Sequence, residues 1–386
     1  VNGLWYYVIA FLLIWTIAAF YKLYHPDSKN LEMSFPILLM LKTDRFKGFI
    51  DRVAKKAPRF WKWYMNVGIV ICFISMALML VLLIQSLGTV LKTPSVSILI
   101  PGVEVPGSPI FIPFISGFIA LILLIIVHEF SHGILARVEG IDIKSMGLLL
   151  FVILPGAFVE PDEEEVEKAS RLSKLRIYGA GTMANIVLAL IALIIFATIA
   201  NFAVPAVYDQ SGVEITSVVN DGPAYGNLKE GMVVTSINDH KVTNATSYSS
   251  AVYSLKPNTT AHITTDKGTY TFRLGENPNN KTLGYMGIRS QEHLVLKENI
   301  RNTYGNILPW GLLSLEDLFK WIYLINLSVG LFNLLPMKPL DGGLMLEELL
   351  SYKLSGENVK LITDYFTYFT LIVIVFSLVA GIFISL

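Results

Sequence analysis

Long apolar runs separated by polar stretches dominate the chain. Six of them reach the roughly 20 residues that a helix needs to cross a bilayer, near 4–21, 64–87, 113–136, 177–202, 316–336 and 365–385. The fifth is the least apolar at its start, and Glu316, Asp317 and Lys320 are expected there at the membrane surface. Trp61, Trp63, Tyr64, Trp310, Trp321 and Tyr323 fall where aromatic rings anchor helices at the headgroups. Between the fourth and fifth runs the period changes. Residues 204–292 alternate Val and Ile with polar residues in EITSVV, MVVTSI, TAHITT and GTYTFRL, and turn signals such as Asn220-Asp221-Gly222-Pro223 punctuate them. That pattern belongs to half-exposed strands. The expected fold is a polytopic α-helical membrane protein with six transmembrane helices and an inserted small, mostly β domain.

Composition agrees with a bilayer environment: 53% of residues are hydrophobic and only 16% charged. Thirty basic residues balance thirty acidic ones, so charge offers no case for a nucleic-acid partner. The single cysteine, Cys72, excludes an intrachain disulfide and an all-cysteine metal site, and it reads as a packing residue. The first apolar run lacks a basic start and a small-x-small exit, so it reads as a span rather than a cleaved signal. Orientation follows from basic residues in the connections. Residues 22–63 hold ten Lys and Arg, 137–176 six and 337–364 three, whereas 88–112 hold only Lys92. The first three connections are expected in the cytoplasm, with both termini and the β domain outside the cell membrane.

The third run, FIALILLIIVHEFSHGILAR, carries His128, Glu129 and His132. Ionisable groups inside a membrane-length helix are costly and mark working sites. Positions four apart share a helix face, so both imidazoles can reach one metal ion. Glu129 points about 100° away from His128, where it can act on water at the metal. The inert alternative leaves three polar groups needing partners in an apolar run. Two histidines leave a zinc site short of a ligand, and a carboxylate is a normal third member. Asp341, in Leu340-Asp341-Gly342-Gly343 on the same expected side as His132, is the best placed candidate; its local alternative is a helix cap.

Other stretches bear on the same site. Residues 147–166 contain an apolar piece too short to span, interrupted by Pro155-Gly156, and either a re-entrant loop or hairpin lining the site or an interfacial loop accounts for them. The acidic run 162–167 reads as a solvated face. In the fourth run, Gly181 and Ala184 permit close helix approach, and Asn185 is either a donor to the substrate oxyanion or a hydrogen bond between helices. Asn333, Pro336 and Pro339 punctuate the end of the fifth run ahead of Asp341.

Together these motifs resemble the site-2 protease family of intramembrane zinc metalloproteases. The resemblance rests on His128-Glu129-Phe130-Ser131-His132, on Gly181 to Asn185, and on Asn333-Leu-Leu-Pro336 followed by Pro339-Leu-Asp341-Gly342. A weaker likeness, through Gly212-Val-Glu-Ile, Asn220-Asp-Gly-Pro-Ala224 and Leu228 to Asn238, is to a PDZ domain, with Met232 where that pattern often has Asp. The absence of the start typical of the bacterial envelope-stress type points the resemblance toward an archaeal or eukaryote-like member. The resemblance implies one Zn²⁺ per chain on His128, His132 and Asp341, with Glu129 and Asn185 catalytic and Gly181, Asn333, Pro336 and Gly342 positioning. It implies transmembrane protein substrates cut within or near their helices, whose ectodomain or exposed tail the PDZ-like domain contacts.

The expected divisions are 1–112 for the first two spans and their basic loop, and 113–203 for the core with the His-Glu-x-x-His helix. The β domain covers 204–292, the linker and Asp341 helix 293–350, and the last span 351–386. Three rival functions use the same residues: a zinc hydrolase of lipid-linked substrates, a metal-ion transporter with the polar cluster along its path, and an inactive binding protein.

Overall fold

The computed structural model describes residues 4–88, 100–103, 110–278 and 280–385. Lys92 and most of the 88–112 connection lie outside the described residues. The chain divides into two compact units, Val1–Phe196 with Asp317–Leu386, and Ala197–Glu316.

The first unit begins with helix α1 (Leu4–Tyr24), strands β1 (Leu31–Ser34) and β2 (Leu38–Lys42), and helices α2 (Lys47–Lys56), α3 (Pro58–Ser86) and α4 (Phe114–Val138). Strands β3 (Ile143–Phe151) and β4 (Leu154–Pro161) follow, then a short helix Arg171–Tyr178 and a longer one from Ala180. Pro58 starts α3 earlier than the apolar run predicts, because its fixed φ and missing N–H suit a first turn. Along α3, Met65, Ile69, Cys72, Met76 and Leu83 are buried, while Val70, Ile74, Leu78 and Val81 are exposed. Both faces are apolar, as expected for a helix with neighbours on one side and lipid on the other.

Five helices among the described residues are long and apolar enough to cross a membrane: Leu4–Tyr24, Pro58–Ser86, Phe114–Val138, Ala180–Val207 and Gly356–Ala380. The chain is a multi-pass α-helical membrane protein with an inserted, mostly β unit. The expected run 316–336 is not among those five helices. The predicted span 316–336 overlaps helix Ile307–Asn333 over 316–333, and Glu316, Asp317 and Lys320 sit in the middle of that helix rather than at an end. The apolar stretch before Glu316 continues the helix, which the charge pattern alone does not reveal.

The segment 147–166 is neither a bare loop nor a lone hairpin. β3 and β4 pair antiparallel with Met146 opposite Val159 and Phe151 opposite Leu154, and β2 pairs with β3 through Leu38 to Lys42. The resulting sheet has the order β1-β2-β3-β4, so β4 is an edge. Pro155 and Pro161 both lie in β4, as fits an edge strand, where a missing N–H breaks no ladder bond. Beyond the sheet, Asp162 caps helix Glu163–Lys168 by accepting from Glu164 and Glu165 N–H, so the acidic run begins a solvated helix.

In the second unit, five strands lie in the order Ile288–Leu296, Tyr208–Val218, Val233–Ile237, Thr260–Thr265 and Gly268–Arg273. The inward positions of their alternating pattern, among them Ile215, Val234, Ile237 and Ile263, are fully buried in one core. Helix Ala245–Tyr253 completes it, started by a capping box between Asn244 and Ser247.

A polar knot ties the end of α4 to α3 and to helix Arg171–Tyr178. The Glu139 side chain, 4% exposed, lies 3.5 Å from Lys62 Nζ. It accepts from Ser173 Oγ at 2.6 Å and from Arg176 Nη1 at 2.8 Å. Burial pushes its carboxyl up, but the Ser173 hydroxyl and the Arg176 guanidinium outweigh that and hold it below its ordinary value. A depressed folded-state pKa contributes stability that is intact above the unfolded value, near pH 4.3, and lost as pH falls through the folded one. Glu139→Gln should therefore destabilise the protein by about 2 kcal/mol at neutral pH. Its thermal midpoint in detergent should fall, and the gap to wild type should close below about pH 4. A gap that stays constant to pH 3 would contradict the assignment.

Candidate metal centre

Three potential ligands come together from distant parts of the first unit. His128 and His132 share one face of α4, and their Nε2 atoms are 3.1 Å apart. His128 Nε2 lies 3.5 Å from Asp341 Oδ2, and His132 Nε2 lies 3.5 Å from Asp341 Oδ1. An ion bound tetrahedrally at about 2.05 Å separates its ligand atoms by about 3.3 Å. The three donors already stand at that spacing. The ring of His132 also has the right proton, because Nδ1 donates to the Ile177 carbonyl at 2.7 Å and leaves the Nε2 lone pair free. His132 Nε2 thus presents its lone pair beside His128 Nε2 and the Asp341 carboxylate, and the three donor atoms lie close enough together to hold one metal ion.

Local sequence explains how each ligand arrives. Gly181 is in the first turn of the helix from Ala180, directly against the imidazoles. A Cβ there would overlap His132 Nε2 and come within 2.6 Å of His128 Cε1. Thr182, fully buried in the same turn, donates from Oγ1 to Asp341 Oδ2 at 2.9 Å. Asp341 opens helix Asp341–Leu350. That helix starts tight against the turn after Asn333, since a Cβ on Gly342 would strike the Leu334 and Leu335 carbonyls. The Asp341 carboxylate faces Thr182 and the two imidazoles rather than serving as the local cap.

Glu129 leaves the ligand face. Its Oε2 accepts from the Val159 N–H of β4 at 3.1 Å. With His128, His132 and Asp341 it lines a cavity of about 1040 Å³, whose lining also includes β4 residues Ala157 and Phe158. Asn333 also lines this cavity, and Pro336 is buried in the turn that follows. Asn185 does not line it: the side chain is fully buried behind His128, with Nδ2 3.1 Å from His128 Nδ1.

Two contacts were not anticipated. The Ile177 carbonyl has no side-chain signal and was beyond reach. Thr182 was within reach, because a hydroxyl between Gly181 and Asn185 in an apolar helix needs a partner.

The arrangement defines a hydrolase-type metal centre in a membrane-embedded helix bundle: two imidazoles, one carboxylate and a fourth, unligated glutamate. A family model described as Peptidase family M50 matches residues 116–375. The chain belongs to this family of site-2 protease-like zinc metalloproteases and is a metalloendopeptidase. It is similar to the Uncharacterized protein MJ0971 of Methanocaldococcus jannaschii, at 29% identity over 339 residues, 87% of this chain and 82% of that protein. It is also similar to the Membrane-bound transcription factor site-2 protease homolog of Arabidopsis thaliana, at 28% identity over 126 residues, 32% of this chain and 24% of that protein.

Gly181→Ala places a methyl group inside the imidazole pair and should abolish stoichiometric metal binding while the purified protein keeps its helix content. Thr182→Val removes one bond to Asp341 and should weaken metal affinity by about 10- to 100-fold. Chelator competition on the purified proteins measures both; wild-type affinity in Gly181→Ala would contradict the geometry.

Proposed function

We propose that the chain is an intramembrane zinc protease that hydrolyses peptide bonds within or near the transmembrane helices of other membrane proteins. The observation that carries this reading is the His128, His132 and Asp341 cluster, with Glu129 beside it, inside an apolar helix of 25 residues. When bound to the three ligands, one zinc ion per chain would supply Lewis acidity and lower the pKa of water in the cleft. Glu129 would take the proton from the attacking water and return it to the leaving amine. The Val159 N–H holds its carboxylate toward the cavity and away from the ligands.

A helical substrate shields its own backbone, so the bond to be cut must be extended first. The outer edge of β4, which pairs with no further strand among the described residues, supports this step, since an unwound segment could add there as a strand beside the metal ligands. Leu148, Phe151, Val152 and Leu154 are exposed at the hairpin end, which favours a re-entrant hairpin whose tip meets lipid.

Helix Ile307–Asn333 makes a sixth crossing in this reading. Its mid-helix charge is relieved inside the protein: Asp317 accepts from Ser116 Oγ at 2.7 Å and Trp321 Nε1 at 3.1 Å, and pairs with Lys320 at 2.8 Å. Six crossings put both termini outside the cell membrane and the basic connections in the cytoplasm. Residues 113–203 and 293–350 then form the catalytic core. Residues 204–292, as an extracytoplasmic PDZ-like domain, filter substrates by their ectodomain or exposed tail.

Purified protein reconstituted with a single-span substrate tests the reading. Cleavage should fall inside the apolar segment, stop on chelation and return with zinc. Replacing two glycines near the cut with leucine should slow it about tenfold by stabilising the substrate helix. Rates unchanged across such a series, or cleavage only in the water-exposed flanks, would contradict it.

A further inference from the structure

His132 and His128 face the same centre, but their outer nitrogens meet different neighbours. His132 Nδ1 meets a main-chain carbonyl, Ile177 at 2.7 Å, which can only accept. His128 Nδ1 meets the Asn185 amide at 3.1 Å, which can present either end. With its nitrogen toward the ring, Asn185 makes His128 Nδ1 an acceptor and moves the ring proton to Nε2. An N–H then occupies the position where a metal ligand needs a lone pair. That orientation also leaves Asn185 Oδ1 buried without a partner among the described residues.

The two ends of a side-chain amide have nearly the same size, so hydrogen bonding decides between them. Turned the other way, the oxygen accepts from His128 Nδ1–H and Nε2 keeps its lone pair. The exchange leaves the amide hydrogens facing the space the oxygen held. The ring settles the orientation, because only an acceptor at Nδ1 leaves Nε2 free. We infer that Asn185 is a positioning residue whose side-chain oxygen fixes His128 in the tautomer that presents Nε2 to the metal.

This inference rests on the metalloprotease reading and changes the part played by one of its residues. A donor to the substrate oxyanion must reach the cleft, and Asn185 is fully buried and outside the cavity lining. Its place is held from the far side by Gly330, where a Cβ would come within 3.2 Å of Asn185 Cβ. The side chain is packed between another helix and His128, as suits a group that orients a ligand.

Asn185→Asp and Asn185→Leu separate the two roles. Aspartate can accept from Nδ1–H but a carboxylate cannot donate to an oxyanion; leucine can do neither. Zinc affinity of the full-length protein in detergent, by chelator competition, is the primary measurement, and cleavage of a single-span substrate at saturating zinc is the second. The inference predicts that Asn185→Asp keeps wild-type zinc affinity or exceeds it and still cleaves, and that Asn185→Leu binds zinc about 10- to 100-fold more weakly. Unchanged zinc affinity in both variants, with cleavage lost in both by about 100-fold or more, is the signature of an oxyanion donor and overturns it. Should Asn185→Leu fail to fold, Asn185→Asp decides alone: retained zinc and cleavage support the inference, and weakened zinc overturns it. Wild-type protein that binds no zinc overturns the metalloprotease reading as well, so the two failures are distinguishable.

Discussion

Two imidazoles and a carboxylate held about 3.5 Å apart inside a membrane-length apolar helix bundle cannot be left to themselves. Burial leaves them little contact with solvent, and an unrelieved cluster of this kind would cost several kcal/mol. Much of the first unit can be understood as the relief of that cost. Each member of the cluster has a neighbour outside it: the Ile177 carbonyl for His132, Thr182 Oγ1 for Asp341, the Asn185 amide for His128 and the Val159 N–H for Glu129. Only the inner faces remain, and a cation could be held between them.

The surrounding architecture serves this arrangement. Residue size is critical at Gly181 and Gly342, where any side chain would displace a ligand or the helix that delivers one. The helix Arg171–Tyr178, which offers the Ile177 carbonyl, is pinned by the Glu139 knot to α3 and α4. The four-stranded sheet carries β4 along the cavity and satisfies its own backbone groups through β3, a requirement for irregular chain near lipid.

The metal centre was legible because its chemistry is constrained by spacing. Histidines four apart in a helix share a face, and a carboxylate is a normal third ligand beside two histidines, for which Asp341 was the best placed candidate. The apolar runs likewise announced their helices. What escaped was long-range or carried no side-chain signature. The partnership of residues 38–42 with 147–151 joins strands separated by three helices, and neither strand alternates cleanly enough to declare itself. The middle charges of Ile307–Asn333 read as an interface because the pairing of Asp317 with Ser116 is invisible in one dimension. Asn185 illustrates a different limit: an asparagine in an apolar helix signals a polar contact, but which end it offers, and to what, depends on the ring beside it.

The central claim is that Glu129 moves protons at a metal it does not hold. Zinc content and cleavage of a single-span substrate, measured side by side for wild type and Glu129→Gln, test it most directly. The account predicts about one zinc per chain in both proteins and cleavage in the wild type alone, slower by about 100-fold or more in the variant. Zinc lost from Glu129→Gln, or cleavage that survives the substitution, would contradict it.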